Sequence, residues 1–461
     1  MPPARVDITS VVDGSRIGAY QIWVFTLCGL CLIMDGFDVQ AIGYVAPAVI
    51  QEWGIPNADM GPVFSAGLLG LFLGSLLFSM LADVIGRRPV ILGATLAFST
   101  FTLLTARVDS VNELLVMRVL AGLGLGAILP NATALIGEFS PKAHRIKTMM
   151  IVTNGFTIGA MIGGFLSAWL IPAYGWRSVF VVGGVVPLII LVPMLVSLPE
   201  SLQLLALRGA NDRRIGKWLR RIDPGVPVDE GTRYVVQEER RRGVPIAHLF
   251  RDGRTAGTML LWVVNFMNVL NAYFVSSWLP TVVRDSGYPT TTGVLVGTSV
   301  QVGGVLGTLV LGPIVQRVGF IPVLTACFTT AAINLAMIGQ PGISLWLLFV
   351  VAFFAGVGIF AGQPGVNALA ATFYPTDLRS TGIGTALGIG RFGAFIGPAL
   401  GGELMRRQWS TQDLFHAAAV PAAISALAMI AMRWQSVGSR QPAVGSEARD
   451  GEPRDQGRRP Q

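Results

Sequence analysis

Apolar runs of about 20 residues, the length that crosses a hydrocarbon layer as a helix, recur along the chain between short polar connections. They predict twelve helices, at 20–45, 62–82, 89–107, 113–136, 148–172, 176–197, 256–280, 292–314, 320–339, 344–369, 381–404 and 413–433. From Val318 to Thr376, 59 residues pass without one Asp, Glu, Lys or Arg. That run is too long for one crossing, and Gln340-Pro341-Gly342 divides it in two. The polar positions then define a segment at 1–19, six helices in 20–199, a connection at 200–254, six helices in 255–433 and a tail at 434–461. The expected fold is an all-α membrane protein.

The second six helices repeat the first. At an offset of 233, Met34 meets Met267, Pro47 meets Pro280, Glu52 meets Asp285 and Gly54 meets Gly287. Gly70, Gly74 and Gly86 likewise meet Gly303, Gly307 and Gly319. After a slip of one residue, Gly122, Pro130, Pro141 and Arg145 meet Gly356, Pro364, Pro375 and Arg379, and Gly159 and Gly163 meet Gly393 and Gly397. Glycine content alone does not produce matching Pro, acidic and Arg positions in one order. Six crossings per half start both halves on the same side. Two parallel six-helix repeats follow, a layout that places a substrate site between the halves near the midplane. The stripes Gly155-x3-Gly159-x3-Gly163 and Gly393-x3-Gly397-x3-Gly401 let helix backbones approach closely in lipid.

Composition narrows the class. Hydrophobic residues are 52% and charged residues 13%, against a usual charged share of about 25%, and mean hydropathy is +0.60. A water-soluble enzyme, a disordered chain and a disulfide-stapled domain are excluded. The net charge of +8 does not point to nucleic acid, because the basic residues lie in the connections. With the N-terminus inside, 34 basic residues divide into five outside (Arg107, Arg177, Arg284, Arg406, Arg407), two within spans (Arg118, Arg391) and 27 inside. Both termini are therefore expected in the cytoplasm, in a cell inner membrane. The polar first 19 residues lack a cleavage pattern, so the first apolar run is expected to stay as a helix. The 200–254 connection carries 12 basic and 8 acidic residues, including Arg240-Arg241-Arg242. It is expected to be a solvated loop between halves, and the tail from about Gln435 to be disordered. Cys28, Cys31 and Cys327 lie in apolar runs and read as core; His144, His248 and His416 are scattered. No metal site, P-loop or cofactor is expected.

Charge inside the spans carries the chemistry. An ionised Asp at a helix centre costs about 2.5–3.5 kcal/mol on insertion scales, so Asp35 and Asp38, three residues apart, are expected to face the interior together. They are candidates to bind and release a coupling proton, with Arg118, one turn below the outer edge of the fourth span, as their partner. Their repeat positions hold Asn268 and Asn271. Arg391 lies about 15 Å into the eleventh span at 1.5 Å per residue, too deep to snorkel easily. Its planar guanidinium suits a carboxylate, which makes it the candidate substrate-anion site. Asn268, Asn271, Gln301, Gln363 and Asn367 are further candidate substrate contacts, and Asn131 is a polar neighbour. Asp83, Gly86, Arg87 and Arg88 form a candidate gating loop after the second span.

At three stretches the chain resembles the aromatic acid:proton symporters of the major facilitator superfamily. These are Asp35-Gly36-Phe37-Asp38 with Ala46-Pro47 and Glu52-Trp53-Gly54; Leu81-Ala82-Asp83-Val84-Ile85-Gly86-Arg87-Arg88; and Tyr374-Pro375-Thr376-Asp377-Leu378-Arg379-Ser380-Thr381-Gly382 with Gly388-Ile389-Gly390-Arg391. Ser79 stands where the superfamily loop usually opens on glycine, and Val84 where a basic residue follows the Asp. The resemblance covers about 20–433. It implies uptake of benzoate-like, hydroxybenzoate-like or phenylpropanoid acids with a proton, and essential roles for the paired Asp and the membrane Arg, here Asp35, Asp38, Arg118 and Arg391.

The expected function is secondary active symport of an aromatic carboxylate with protons by a monomer, through alternating access of the two halves. An exporting proton antiporter of the same superfamily is the alternative, and a non-transporting sensor on the same scaffold is another. No nucleophile–base pair marks an enzyme.

Overall fold

The computed structural model describes residues 5–208, 212–226, 232–236, 246–375 and 378–438. Arg240-Arg241-Arg242, Thr376-Asp377 and the tail beyond Gly438 lie outside the described residues. A strand β1 (Arg5–Asp7) and a short helix α1 (Ile8–Gly14) precede the first half, which comprises α2 (Ala19–Trp53), α3 (Met60–Ile85), α4 (Arg87–Thr105), α5 (Val111–Phe139), a broken span α6 (Arg145–Thr153) and α7 (Gly155–Tyr174), and α8 (Arg177–Ser197). The connection holds α9 (Leu202–Leu207), α10 (Asp212–Leu219) and β2 (Arg233–Val235). The second half comprises α11 (Thr255–Asp285), α12 (Thr290–Val318), α13 (Phe320–Ile338), a broken span α14 (Leu345–Ile359) and α15 (Gly362–Phe373), α16 (Arg379–Arg406) and α17 (Thr411–Gly438). Twelve helices are long and apolar enough to cross a membrane. The last apolar span is Thr411–Arg433, and its helix continues to Gly438.

Consecutive spans run in opposite directions. The near face carries the start of α2, and the far face carries the turns after Trp53 and Asp285. Exposed apolar side chains such as Met80, Ile189, Val196, Leu309 and Leu427 cover the outer walls, which suits hydrocarbon and not water. Exposed Trp169, Tyr174, Trp346 and Trp409 ring the far end, as aromatic side chains do at a membrane interface.

The sequence repeat is a repeat of crossings. A Cβ at Gly36 would overlap the carbonyl of Phe156, and one at Gly159 that of Ile33, so α2 and α7 touch backbone to backbone. In the second half, Gly393 and Gly397 meet the carbonyls of Phe266 and Leu270 where α16 crosses α11. Gly122 lies on Gly67 between α5 and α3, and its repeat mate Gly356 lies on Val300 between α14 and α12. With lipid as apolar as the side chains, close packing of this kind holds the bundle.

Among the described residues, the halves meet in the far half of the molecule and at mid-depth. The hydrogen bonds between them lie there: Gln40 Nε2 donates to Ser276 O at 2.8 Å, Gln301 Nε2 to Gln40 Oε1 at 3.5 Å, Ser65 Oγ to Phe395 O at 2.8 Å, Asn57 Nδ2 to Asp285 Oδ2 at 2.5 Å, and Arg284 to Pro47 O at 2.6 Å and Asn57 Oδ1 at 3.2 Å. Phe72 packs on Phe392, ring centroids 5.2 Å apart. Toward the near face, Val84 and Val318 are exposed, and a Cβ on Gly384 or Gly388 would meet open space. The structure is closed at the far face and open at the near one.

The connection between halves differs from the solvated loop expected of its charge. β1 pairs in parallel with β2, and Ile8, Val12, Leu202, Ile215, Leu219, Ile222 and Tyr234 are buried in the main hydrophobic core. Trp218 stacks on Tyr20, and Arg221 lies over both rings. Charged residues dominate the count, but apolar ones at helical spacing (Ile215, Leu219, Ile222) determine where the segment goes.

Candidate functional site

The helical rotation between Asp35 and Asp38 decides their fates. Asp38 points into the first half, where Thr102 Oγ1 donates to its Oδ1 at 2.7 Å and Arg118 Nη1 to its Oδ2 at 3.1 Å. Arg118 Nη2 also donates to Thr105 Oγ1 at 3.0 Å, and its guanidinium lies over the Phe180 ring. Both ions are buried. The expected Arg118 partnership therefore falls on Asp38 alone. Asp35 is 2% exposed, and its Oδ1 has no hydrogen-bond partner. Three residues on a helix are a 300° rotation, and here the remaining 60° separates a paired carboxylate from an unpaired one.

Asp35 is within electrostatic reach of Arg391, from α16, and of Tyr273, from α11. Arg391 makes no ion pair among the described residues, and its buried Nη1 has no hydrogen-bond partner. An unpaired carboxylate and an unpaired guanidinium thus belong to opposite halves, without direct contact. Buried polar groups are nearly always bonded, which makes these two atoms, one short of a donor and one short of an acceptor, the candidate contacts for a bound ligand.

The uncharged candidates fall into two groups. Asn268 Nδ2 donates to Gln363 Oε1 at 2.7 Å, and Gln363 Nε2 to Asn265 Oδ1 at 2.9 Å and Asn367 Oδ1 at 3.4 Å. Asn268, Gln363 and Asn367, expected to contact substrate, thus bond to one another and to Asn265 between α11 and α15. On the far side, Gln301 Nε2 donates to Ser276 Oγ at 3.2 Å and Gln40 Oε1 at 3.5 Å, which roofs the space between the halves. Asn271 is buried with neither amide atom bonded. Asn131 donates to Ala127 O of its own helix. Gln40, Asn265 and Tyr273 were not singled out in the sequence. The repeat carried a signal for two of them, since Gln40 and Tyr273 stand at equivalent polar positions.

At the near face, Gly86 has φ +114°, and a Cβ there would collide with the Glu200 carboxylate. Glu200 Oε1 accepts from the backbone N–H of Arg87 at 2.8 Å and of Arg88 at 3.2 Å, so it caps the start of α4. Such an N-terminus favours a carboxylate. Arg87 pairs with Glu138, and Arg88 Nη2 donates to Leu195 O at 2.5 Å. The Asp83 side chain is exposed, and its carbonyl accepts from Arg208. The loop thus holds the first half and the connection together. Cys31 Sγ lies 3.3 Å from Met194 Sδ, and all three Cys are free and buried.

Two pseudo-repeated bundles around a central charged site, closed at one face, define a transporter. The sequence matches the Major Facilitator Superfamily over residues 28–297 and 261–457. The chain belongs to that superfamily, whose members are transporters and not enzymes. It is 39% identical over 428 residues to the 4-hydroxybenzoate transporter PcaK of Pseudomonas putida, covering 92% of this chain and 95% of that protein. It is 37% identical over 433 residues to the gallate transporter of Pseudomonas putida, covering 93% and 96%. The xylose transporter XylE from E. coli, in a partially occluded inward open conformation, superposes with a TM-score of 0.70 at 17% identity, covering 91% of this chain and 98% of that one.

Proposed function

We propose that this multi-pass membrane transporter takes up an aromatic carboxylate with protons. The unpaired Asp35 and Arg391 on opposite halves carry this reading, and the names of the relatives supply the substrate class. With the cavity empty, the two opposite charges balance each other across the site. An arriving carboxylate takes the Arg391 guanidinium through parallel hydrogen bonds. Asp35 is then left as a second anion in a low-dielectric chamber and is neutralised by a proton, which ties proton entry to substrate entry. Asp38, held by Arg118 and Thr102, fixes the field around this exchange. The near face is cytoplasmic, since it carries the excess of basic residues, and the open state is the one that releases substrate inward. The transporter works as a monomer in the inner membrane, and rocking of one half on the other alternates access.

In proteoliposomes with an imposed pH gradient, 4-hydroxybenzoate should accumulate and a protonophore should abolish accumulation. Asp35→Asn, fixed in the neutral state, should lose gradient-driven accumulation while retaining counterflow of labelled for unlabelled acid. Wild-type accumulation in this variant would remove Asp35 from the proton path.

A further inference from the structure

We propose that Gln301 reads a hydroxyl on the substrate ring, so that the site selects ring-hydroxylated acids over unsubstituted benzoate. The inference rests on the aromatic-acid reading above and adds the device that chooses among such acids.

The hydrogen-bond roof fixes which atom of Gln301 is free. Ser276 O can only accept, so the Gln40 side chain turns its Nε2 toward it, at 2.8 Å. That leaves Gln40 Oε1 facing Gln301, where it can only accept, and so Gln301 presents its Nε2, at 3.5 Å. The same Nε2 donates to Ser276 Oγ at 3.2 Å. Gln301 Oε1 is therefore the remaining atom, and it is an acceptor without a partner. The side chain is 1% exposed, so bulk water does not satisfy it. A buried carbonyl left without a donor is costly. The guest that completes it brings a neutral O–H.

Depth places this acceptor at the right distance from the anion site. At about 1.5 Å per residue from the far ends of their helices, Gln301 lies about 16 Å down α12 and Arg391 about 22 Å down α16. The Cα levels differ by about 6 Å, and each side chain leans toward the N-terminus of its own helix, Gln301 to the far face and Arg391 to the near one, which widens the gap to admit a ring with a hydrogen bond at each end. Tyr273, one turn of α11 below Ser276 and within reach of Arg391, lies between the two levels. A ring standing on Arg391 through its carboxylate thus points its para position at the roof. A site built to bond a hydroxyl strongly rejects the analogue without one, because its own polar atom is then stranded.

The test compares binding of 4-hydroxybenzoate, 4-fluorobenzoate and benzoate to the purified full-length protein by calorimetry. Fluorine has nearly the size of the hydroxyl but donates nothing. The wild type should bind 4-hydroxybenzoate roughly ten-fold or more tighter than 4-fluorobenzoate. Gln301→Met, close in shape, should bring that ratio to about one. Equal wild-type affinity for the hydroxy and fluoro acids overturns the inference without any variant, and so does an unchanged ratio in Gln301→Met. If the wild type binds none of the three acids, the aromatic-acid reading falls and this inference with it.

Discussion

Arg391→Ala is expected to abolish uptake and to weaken aromatic-acid binding roughly a hundred-fold, the loss of about 3 kcal/mol that follows truncation of one partner of a buried charge pair. Arg391→Lys should recover only part of the affinity, because an ammonium keeps the charge but not the planar fork. Arg391→Ala should melt close to wild type: among the described residues it gives up no ion pair and no Nη1 hydrogen bond, only the longer-range balance with Asp35. Equilibrium binding of labelled 4-hydroxybenzoate checks the first statement and thermal unfolding in detergent the second. Unchanged affinity would remove Arg391 from the anion site.

The second large effect concerns stability. Asp38→Asn leaves the buried Arg118 guanidinium without its counter-charge, and breaking a buried pair from one side costs about 3–5 kcal/mol. The melting temperature should fall well below that of Asp35→Asn, which removes a charge whose Oδ1 has no hydrogen-bond partner. Asp38→Asn with Arg118→Gln restores neutrality on both sides of the contact. That double variant should regain most of the melting temperature and part of the transport rate. A double variant that melts normally but is inactive would put Asp38 in the proton path itself.

The architecture was legible because its causes are local or periodic. Span length follows from hydrocarbon thickness, and the 233-residue offset follows from duplicated crossings, where Gly122 and Gly356 or Gly159 and Gly393 serve the same contact. Arg118 and Arg391 stood out because charge is costly in a span. What stayed hidden depends on three-dimensional rotation. Residues three apart are neighbours on a helix, yet Asp38 enters the first half and Asp35 the opening between halves. The mutual bonding of Asn268, Gln363 and Asn367 was equally invisible, since Asn265, which completes that set, carries no charge to draw notice. Glu200 was read as part of a loop, although it caps α4 from 113 residues away. The folded connection was masked by its own arginines.

Where α3 meets α16 at the far face, the two chains have no side chain between them. A Cβ on Gly402 would sit 2.9 Å from the Cα of Gly61 and 3.1 Å from Ala58 O. A single methyl group there acts as a doorstop: it penalises this conformer and leaves the opposite one, in which the seam has parted, unhindered. Valine at either position should therefore shift the resting population toward the externally accessible form, readable as faster labelling of an engineered cysteine in the seam by a membrane-impermeant maleimide. Such a variant offers a handle for capturing a conformer with the far seam parted.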